Sequence, residues 1–172
     1  MTTRAITLLP AVAADVPDLM RLIAALAAYE KLSHLVIATS ADLEDALFGA
    51  RPAAEALVVR EDDEKRSAIG FALYFTNFST FLGRRGLWLE DLFVLPEHRG
   101  RGIGRRLLEA LAAIARERGC GRFEWAVLDW NASAIGFYER MGATVLPEWR
   151  IVRVTADALR DFGHTGADSA TD

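Results

Sequence analysis

The sequence predicts an α/β domain in which a mixed sheet carries helices on its faces. Three observations predict it. Strand-like and helix-like hydrophobic periods alternate in the order β-α-α-β-β-β-α-β-α-β-β. The 172 residues, 52% of them apolar, suffice for one core without covalent staples. The single cysteine, Cys120, excludes an internal disulfide, and no Cys, His or acid cluster has zinc spacing.

Each element has its own signal. "AITLLPA" predicts a strand over Ala5 to Leu9. Asp15 is the expected cap of a helix with Pro17 in its first turn, and Val16, Leu19, Met20, Ile23 and Leu26 recur at helical spacing to Tyr29. Ser40 is the expected cap of a short helix stopped by Gly49. Glu55 to Glu61 and Ser67 to Phe78 read as strands, joined into a hairpin by the charged "DDEKR". "GLWLEDLFVL" is a central strand, apolar on both faces apart from Glu90 and Asp91. A helix is expected over Gly102 to Arg118 with Gly119 as its stop, then a strand over Arg122 to Leu128. A helix capped by Ser133 and stopped by Gly142 follows, with "ATVL" and "WRIVRV" as closing strands. The expected organisation is one domain over 1–162 and a disordered tail over 163–172.

Lys and Arg number 20 against 24 Asp and Glu, for a net charge of −4. This balance argues against a nucleic-acid binder, which would carry a basic face. The first residues lack an apolar signal segment and no stretch is long enough to span a membrane. The expectation is a cytoplasmic protein with neither nucleic-acid nor membrane partners, in a reducing setting.

Arg99 to Gly104 reads R-G-R-G-I-G, between the central strand and a helix. Glycines at 100, 102 and 104 remove side chains where a ligand must approach the backbone. The following helix offers unpaired N–H groups and a positive dipole end, and Arg99, Arg101, Arg105 and Arg106 add charge. Together these make a phosphate site. No Gly-Lys-Ser/Thr follows, so it is not a Walker loop. Arg105 stands where the dinucleotide fingerprint starting at Gly100 needs a small residue.

The pattern R-x-x-G-x-G at Arg99, Gly102 and Gly104, in this setting, resembles the acetyl-CoA loop of the GNAT N-acetyltransferases. "YEKL" at Tyr29, "LEDLFVLPEHRGRGIG", "AVLDWN" at Ala126 and "FYERMGA" at Phe137 resemble the diamine and thialysine N-acetyltransferases of that superfamily. The resemblance covers about residues 4–160. It implies a mixed, mostly antiparallel sheet with a V-shaped split between two parallel central strands. It implies acetyl-CoA as co-substrate, no metal, and a homodimer. Leu92, Phe93 and Val94 would line the pantetheine arm, and the turn from Arg99 through Gly100, Arg101, Gly102, Ile103 and Gly104 to Arg105 would hold the pyrophosphate. Asn131, Ala132, Ser133, Ala134 and Tyr138 would complete that site.

Acetyl transfer to an amine needs a proton acceptor, a stabiliser of the carbonyl oxygen, and a proton for the leaving thiolate. Glu90 lies in an apolar run where an unpaired charge is costly. In a regular strand Asp91 would face the opposite layer. The resemblance selects Glu90 as the acceptor. An aromatic on a short helix ordinarily reads as core, but the "FYERMGA" match makes Tyr138 the proton donor to sulfur. The resemblance also assigns Tyr29, Glu30, Glu90, Glu124, Trp125, Ala126 and Glu148 to the amine. His34 and His98 read as surface residues, Cys120 as buried, and Trp125, Trp130 and Trp149 as core or dimer contacts.

This sequence departs from that subgroup at "NFSTFLGRRG", Asn77 to Gly86, which lacks an acid before its aromatic and carries Arg84 and Arg85. Those arginines are candidates to meet a carboxylate on the substrate. The expected function is therefore transfer of an acetyl group to a small primary amine, a diamine or polyamine or a thialysine-like amino acid. A protein N-acetyltransferase and a non-catalytic acyl-CoA sensor are the alternatives.

Overall fold

In the first 128 residues a five-stranded sheet runs in chain order, β1-β2-β3-β4-β5. The structure is a computed structural model describing residues 5–62 and 67–163. The hairpin connection at 63–66 and the tail from 164 lie outside the described residues. β1 (Ile6–Pro10), β2 (Glu55–Glu61), β3 (Ala68–Ser79) and β4 (Arg84–Val94) pair antiparallel in succession. β5 (Arg122–Trp125) joins β4 in parallel, because α3 (Ile103–Glu117) carries the chain back across the sheet between them.

Both faces of the sheet are covered. Val16, Leu19 and Leu22 of α1 (Val16–Tyr29) pack with Leu43 and Leu47 of α2 (Ser40–Phe48) against Ala56, Val58, Phe71 and Phe93. Strand residues of the other parity, such as Leu57, Ala72, Leu87 and Leu89, are buried as well. α3 contacts β3, β4 and β5 and buries Ile103, Leu107, Leu108, Leu111 and Ala115. Each of the buried Val, Leu, Ile and Phe side chains contributes about 1.5–3 kcal/mol, and the alanines less.

Ion pairs tie α1 to the sheet. Asp18 accepts from Arg21 Nη2 at 2.8 Å, Arg60 Nη1 at 3.0 Å and the Ala68 N–H at 2.8 Å. Burial alone would raise the Asp18 carboxyl, but these donors hold it below its ordinary value.

Several element ends differ from expectation for local reasons. Asp15 precedes α1, yet its carboxylate accepts from Val12 N–H at 2.9 Å and from Arg60 rather than capping the helix. Thr39, not Ser40, caps α2: its hydroxyl accepts from Asp42 N–H at 3.2 Å while the Asp42 carboxylate accepts from Thr39 N–H at 2.8 Å. β5 stops at Trp125 rather than Leu128.

In the second unit, from Asp129 on, α4 spans Ala132–Arg140. Asn131, not Ser133, caps it, accepting from Ala134 N–H at 3.2 Å. Gly142 follows with φ of 91°, the left-handed stop expected of it. Among the described residues the two closing strands are not formed: "ATVL" and "WRIVRV" have no ladder partner and are irregular. Strand-like residues make a strand only where a neighbouring edge satisfies their N–H and C=O groups. α5 (Ala156–Asp161), which periodicity did not predict, completes this unit.

Candidate active site

The parallel pairing of β4 with β5 ends at Leu89↔Trp125. From Glu90 to Val94, β4 is bonded to β3 alone. Among the described residues its other edge has no strand partner, which leaves a split between the central strands.

A β-bulge lies at the same point. Tyr74 is opposite Leu89 and Leu73 is opposite Asp91, leaving Glu90 as the extra residue. Regular alternation would send Glu90 and Asp91 to opposite layers. The bulge overturns that expectation. Trp88, opposite Phe75, and Asp91, opposite Leu73, now lie on one face, the face of α1. The Trp88 indole N–H donates to Glu90 Oε2 at 2.9 Å, which keeps Glu90 on that face too. Glu124 is opposite Trp88 on β5 and is held by Arg122 Nε at 2.8 Å.

Glu90 is exposed, whereas Asp91 is half-buried. Burial, then the charges of Glu90 and Glu30, push the Asp91 carboxyl up to about 6. Burial also raises Glu30, just beyond α1. Lys31 follows with φ of 62°, and Leu32 N–H returns to Ala27 O at 2.8 Å, turning the chain sharply after Glu30. Sequence reasoning passed over Asp91, which stood in the same apolar run as Glu90; the bulge that brings it here left no signal in the residues.

Beyond Val94 comes the turn. Gly100 and Gly102 have φ of 76° and 74°, the left-handed region, and a Cβ at either would meet no protein atom within 4 Å. These glycines therefore serve backbone conformation and leave open space in front of the turn. The first backbone N–H to close an α-helical bond is that of Arg106, to Gly102 O at 3.1 Å. The N–H groups of Ile103, Gly104 and Arg105 precede it, at the positive end of α3. A bare turn, first-turn donors and an unpaired strand edge fit an elongated ligand that ends in phosphates.

The four arginines expected to supply charge each have a protein partner. Arg101 pairs with Glu61 at the end of β2 and lies 3.2 Å from His98 Nδ1. Arg105 Nε donates to Glu109 at 2.8 Å, and Arg106 Nη1 to Ile6 O at 3.2 Å. Arg99 Nε donates to Val94 O at 3.0 Å, with its Cζ 4.5 Å from the centre of the Tyr29 ring. His98 is thus not a free surface residue; its side chain is only 19% exposed. Among the described residues no cluster could hold a metal ion.

The other predicted residues fall as follows. Leu92 is half-buried beside buried Phe93 and Val94. The Trp125 ring packs 4.9 Å from that of Phe123, and Ala126 follows the end of β5. Cys120 is half-buried rather than buried. Trp130 and Trp149 are exposed and so are not core. In the second unit Asn131, Ala132, Ser133 and Ala134 form the start of α4. Tyr138 is half-buried on the same helix, its ring 5.4 Å from Phe137. Glu148 lies in the irregular segment after it. Arg84 and Arg85 begin β4, five or six residues before Glu90, which is roughly 17–20 Å along a strand. An extended arginine, a small amino acid and the Glu90 side chain together are about that long, so contact would need all three extended along the strand.

Comparison with known proteins places the chain in a family. The acetyltransferase (GNAT) family model matches residues 21–143. An L-ornithine N5-acetyltransferase of Arabidopsis thaliana is 35% identical over 188 aligned positions, covering 85% of this chain and 82% of that one. A thialysine N-epsilon-acetyltransferase of Mus musculus is 36% identical over 156 positions, covering 86% and 91%. Among solved structures, an integron cassette protein from the mobile metagenome of V. cholerae superposes with a TM-score of 0.76 at 25% identity, covering 93% and 98%.

Proposed function

Since this chain belongs to the GNAT acetyltransferase family and is an acetyl-transferring enzyme, we propose that it acetylates a primary amine on a small molecule, either a diamine or the side-chain amine of a basic amino acid. The observation that carries the proposal is the end of β4–β5 pairing one residue before the bulge at Glu90. It puts an open strand edge beside carboxylates, as a thioester arm and a cationic amine require. The relatives that act on ornithine and on thialysine support the amine class.

In this reading the β4 edge at Leu92, Phe93 and Val94 aligns the pantetheine arm by main-chain hydrogen bonds. The backbone of Gly100 to Arg105 cradles the phosphates. Bound acetyl-CoA supplies the activated acetyl group. Glu30, Glu90 and Asp91 attract the ammonium form of the substrate. The amine attacks only after losing its proton, and the carboxylates at the bulge take it, through water. The raised Asp91 is the better acceptor, because a general base works best near the operating pH. Tyr138 serves as proton donor to the departing sulfur, and Asn131 to Ala134 belong to the cofactor site. Glu124, Trp125, Ala126 and Glu148 contribute to the amine site. In this reading residues 1–162 are a single acetyltransferase domain, and the enzyme works in the cytoplasm as a homodimer.

CoA release, followed with a thiol reagent, tests the proposal across ornithine, thialysine, lysine, putrescine, spermidine and a lysine peptide. Turnover with one of the small amines and little with the peptide is expected. Turnover with the peptide alone would reassign the enzyme to protein substrates.

A further inference from the structure

Arg99 stands at the first position of the glycine-rich turn, where sequence suggests a phosphate ligand. The residue is exposed, yet its guanidinium has contacts within the protein. Nε donates to the carbonyl of Val94 at 3.0 Å. The central carbon lies 4.5 Å from the centroid of the Tyr29 ring and 5.4 Å from that of Phe93. The two rings are themselves 6.4 Å apart, so all three groups form one cluster.

The cluster joins three segments with different tasks. Tyr29 is the last residue of α1, and Glu30 follows it directly. Phe93 and Val94 end β4, the strand whose free edge would take the thioester arm. Arg99 opens the turn that leads into α3. A planar guanidinium suits this junction, because it donates in its plane while presenting its faces to aromatic rings. An ammonium has the same charge but cannot do both.

Resting on the acetyl-transfer reading, we propose that Arg99 is a positioning residue: it sets the end of α1, and with it Glu30, against the β4 edge and the turn. Glycine backbone and first-turn N–H groups are then left to hold the phosphates. The phosphate-ligand role and the positioning role make opposite predictions for a thioester that has no phosphate.

The test compares wild type with Arg99→Lys, Arg99→Gln and Tyr29→Leu, using acetyl-CoA and S-acetylpantetheine as donors. Binding of CoA and of pantetheine is measured by calorimetry alongside. Positioning predicts that Arg99→Lys and Arg99→Gln raise the KM for the amine alike, about tenfold, with either donor. Tyr29→Leu should reproduce the effect, and Tyr29→Leu/Arg99→Gln should fall well short of the product of the two. If Arg99→Lys restores wild-type kinetics, or if every loss vanishes with S-acetylpantetheine, the proposal is overturned. Variants equal to wild type throughout would overturn it as well. Should Arg99→Gln not fold, Arg99→Lys and Tyr29→Leu carry the same comparison. A wild-type protein that turns over no amine would count against the acetyl-transfer reading and not against Arg99. Pantetheine affinity would then decide alone: weakened in Arg99→Lys it supports positioning, unchanged it overturns it.

Discussion

Asp91 carries the sharpest consequence at the scale of a residue. Its carboxyl titrates near 3.8 when unfolded and at about 6 in the fold, through burial and the neighbouring Glu90 and Glu30. The folded state therefore holds this proton more tightly than the unfolded chain. The resulting stabilisation is complete below about pH 4 and is lost as pH rises through 6. Asp91→Asn should leave the melting temperature unchanged at pH 4 and raise it at pH 8; melts at the two values check this. The same substitution should lower kcat about tenfold or more at pH 8 if Asp91 receives the amine's proton. Tyr138→Phe removes one hydroxyl and little surface. It should lower kcat by roughly 10²–10⁴ while CoA affinity stays within about threefold, read by turnover and calorimetry. Asp18 shows the opposite sign to Asp91. Its depressed carboxyl stabilises the fold above its ordinary value and loses that effect as pH falls through its folded value. Asp18→Asn should cost about 2–3 kcal/mol at pH 7 in urea denaturation, because Arg60 and the Ala68 N–H lose a charged acceptor.

At the scale of elements, the turn and the bulge do different work. The turn was legible in the sequence because three glycines and the start of an amphipathic helix are local signals. Gly102 has φ of 74° with open space where a Cβ would stand. Gly102→Ala should cost only about 1–2 kcal/mol in stability through its left-handed backbone. It should also weaken CoA binding by more than tenfold, because the methyl group projects into the space the phosphates would use. Thermal melting and calorimetry separate the two effects. The bulge was not legible. Alternation placed Glu90 and Asp91 on opposite faces, and nothing in "LWLEDLFV" announces an extra residue. The insertion appears only when β3 is paired against β4. The partners of the arginines were only partly legible: Glu109 lies one turn on from Arg105 in the same helix, whereas Glu61 and the Val94 carbonyl belong to other strands.

For the molecule as a whole, placement along β4 decides what the hairpin arginines can do. Arg84 and Arg85 sit at one end of the strand and the bulge near the other. Arg84→Ala/Arg85→Ala should change the KM for an amino-acid substrate less than twofold, measured beside an uncharged-end amine such as putrescine. A selective rise for the amino acid would mean that one of these arginines meets the substrate carboxylate.

Hydrophobic period and glycine placement by themselves determined the order of the first nine elements and the strand–turn–helix at Leu89 to Gly119. Those features depend on residues close in the chain, so local sequence is enough to specify them. Tertiary pairing alone decided three others. β4 and β5 part at Leu89, Glu90 and Asp91 share one face, and 143–154 stays without a ladder despite its strand-like residues. Each of these depends on whether a second segment supplies hydrogen-bond partners at that point, which no single stretch of sequence encodes.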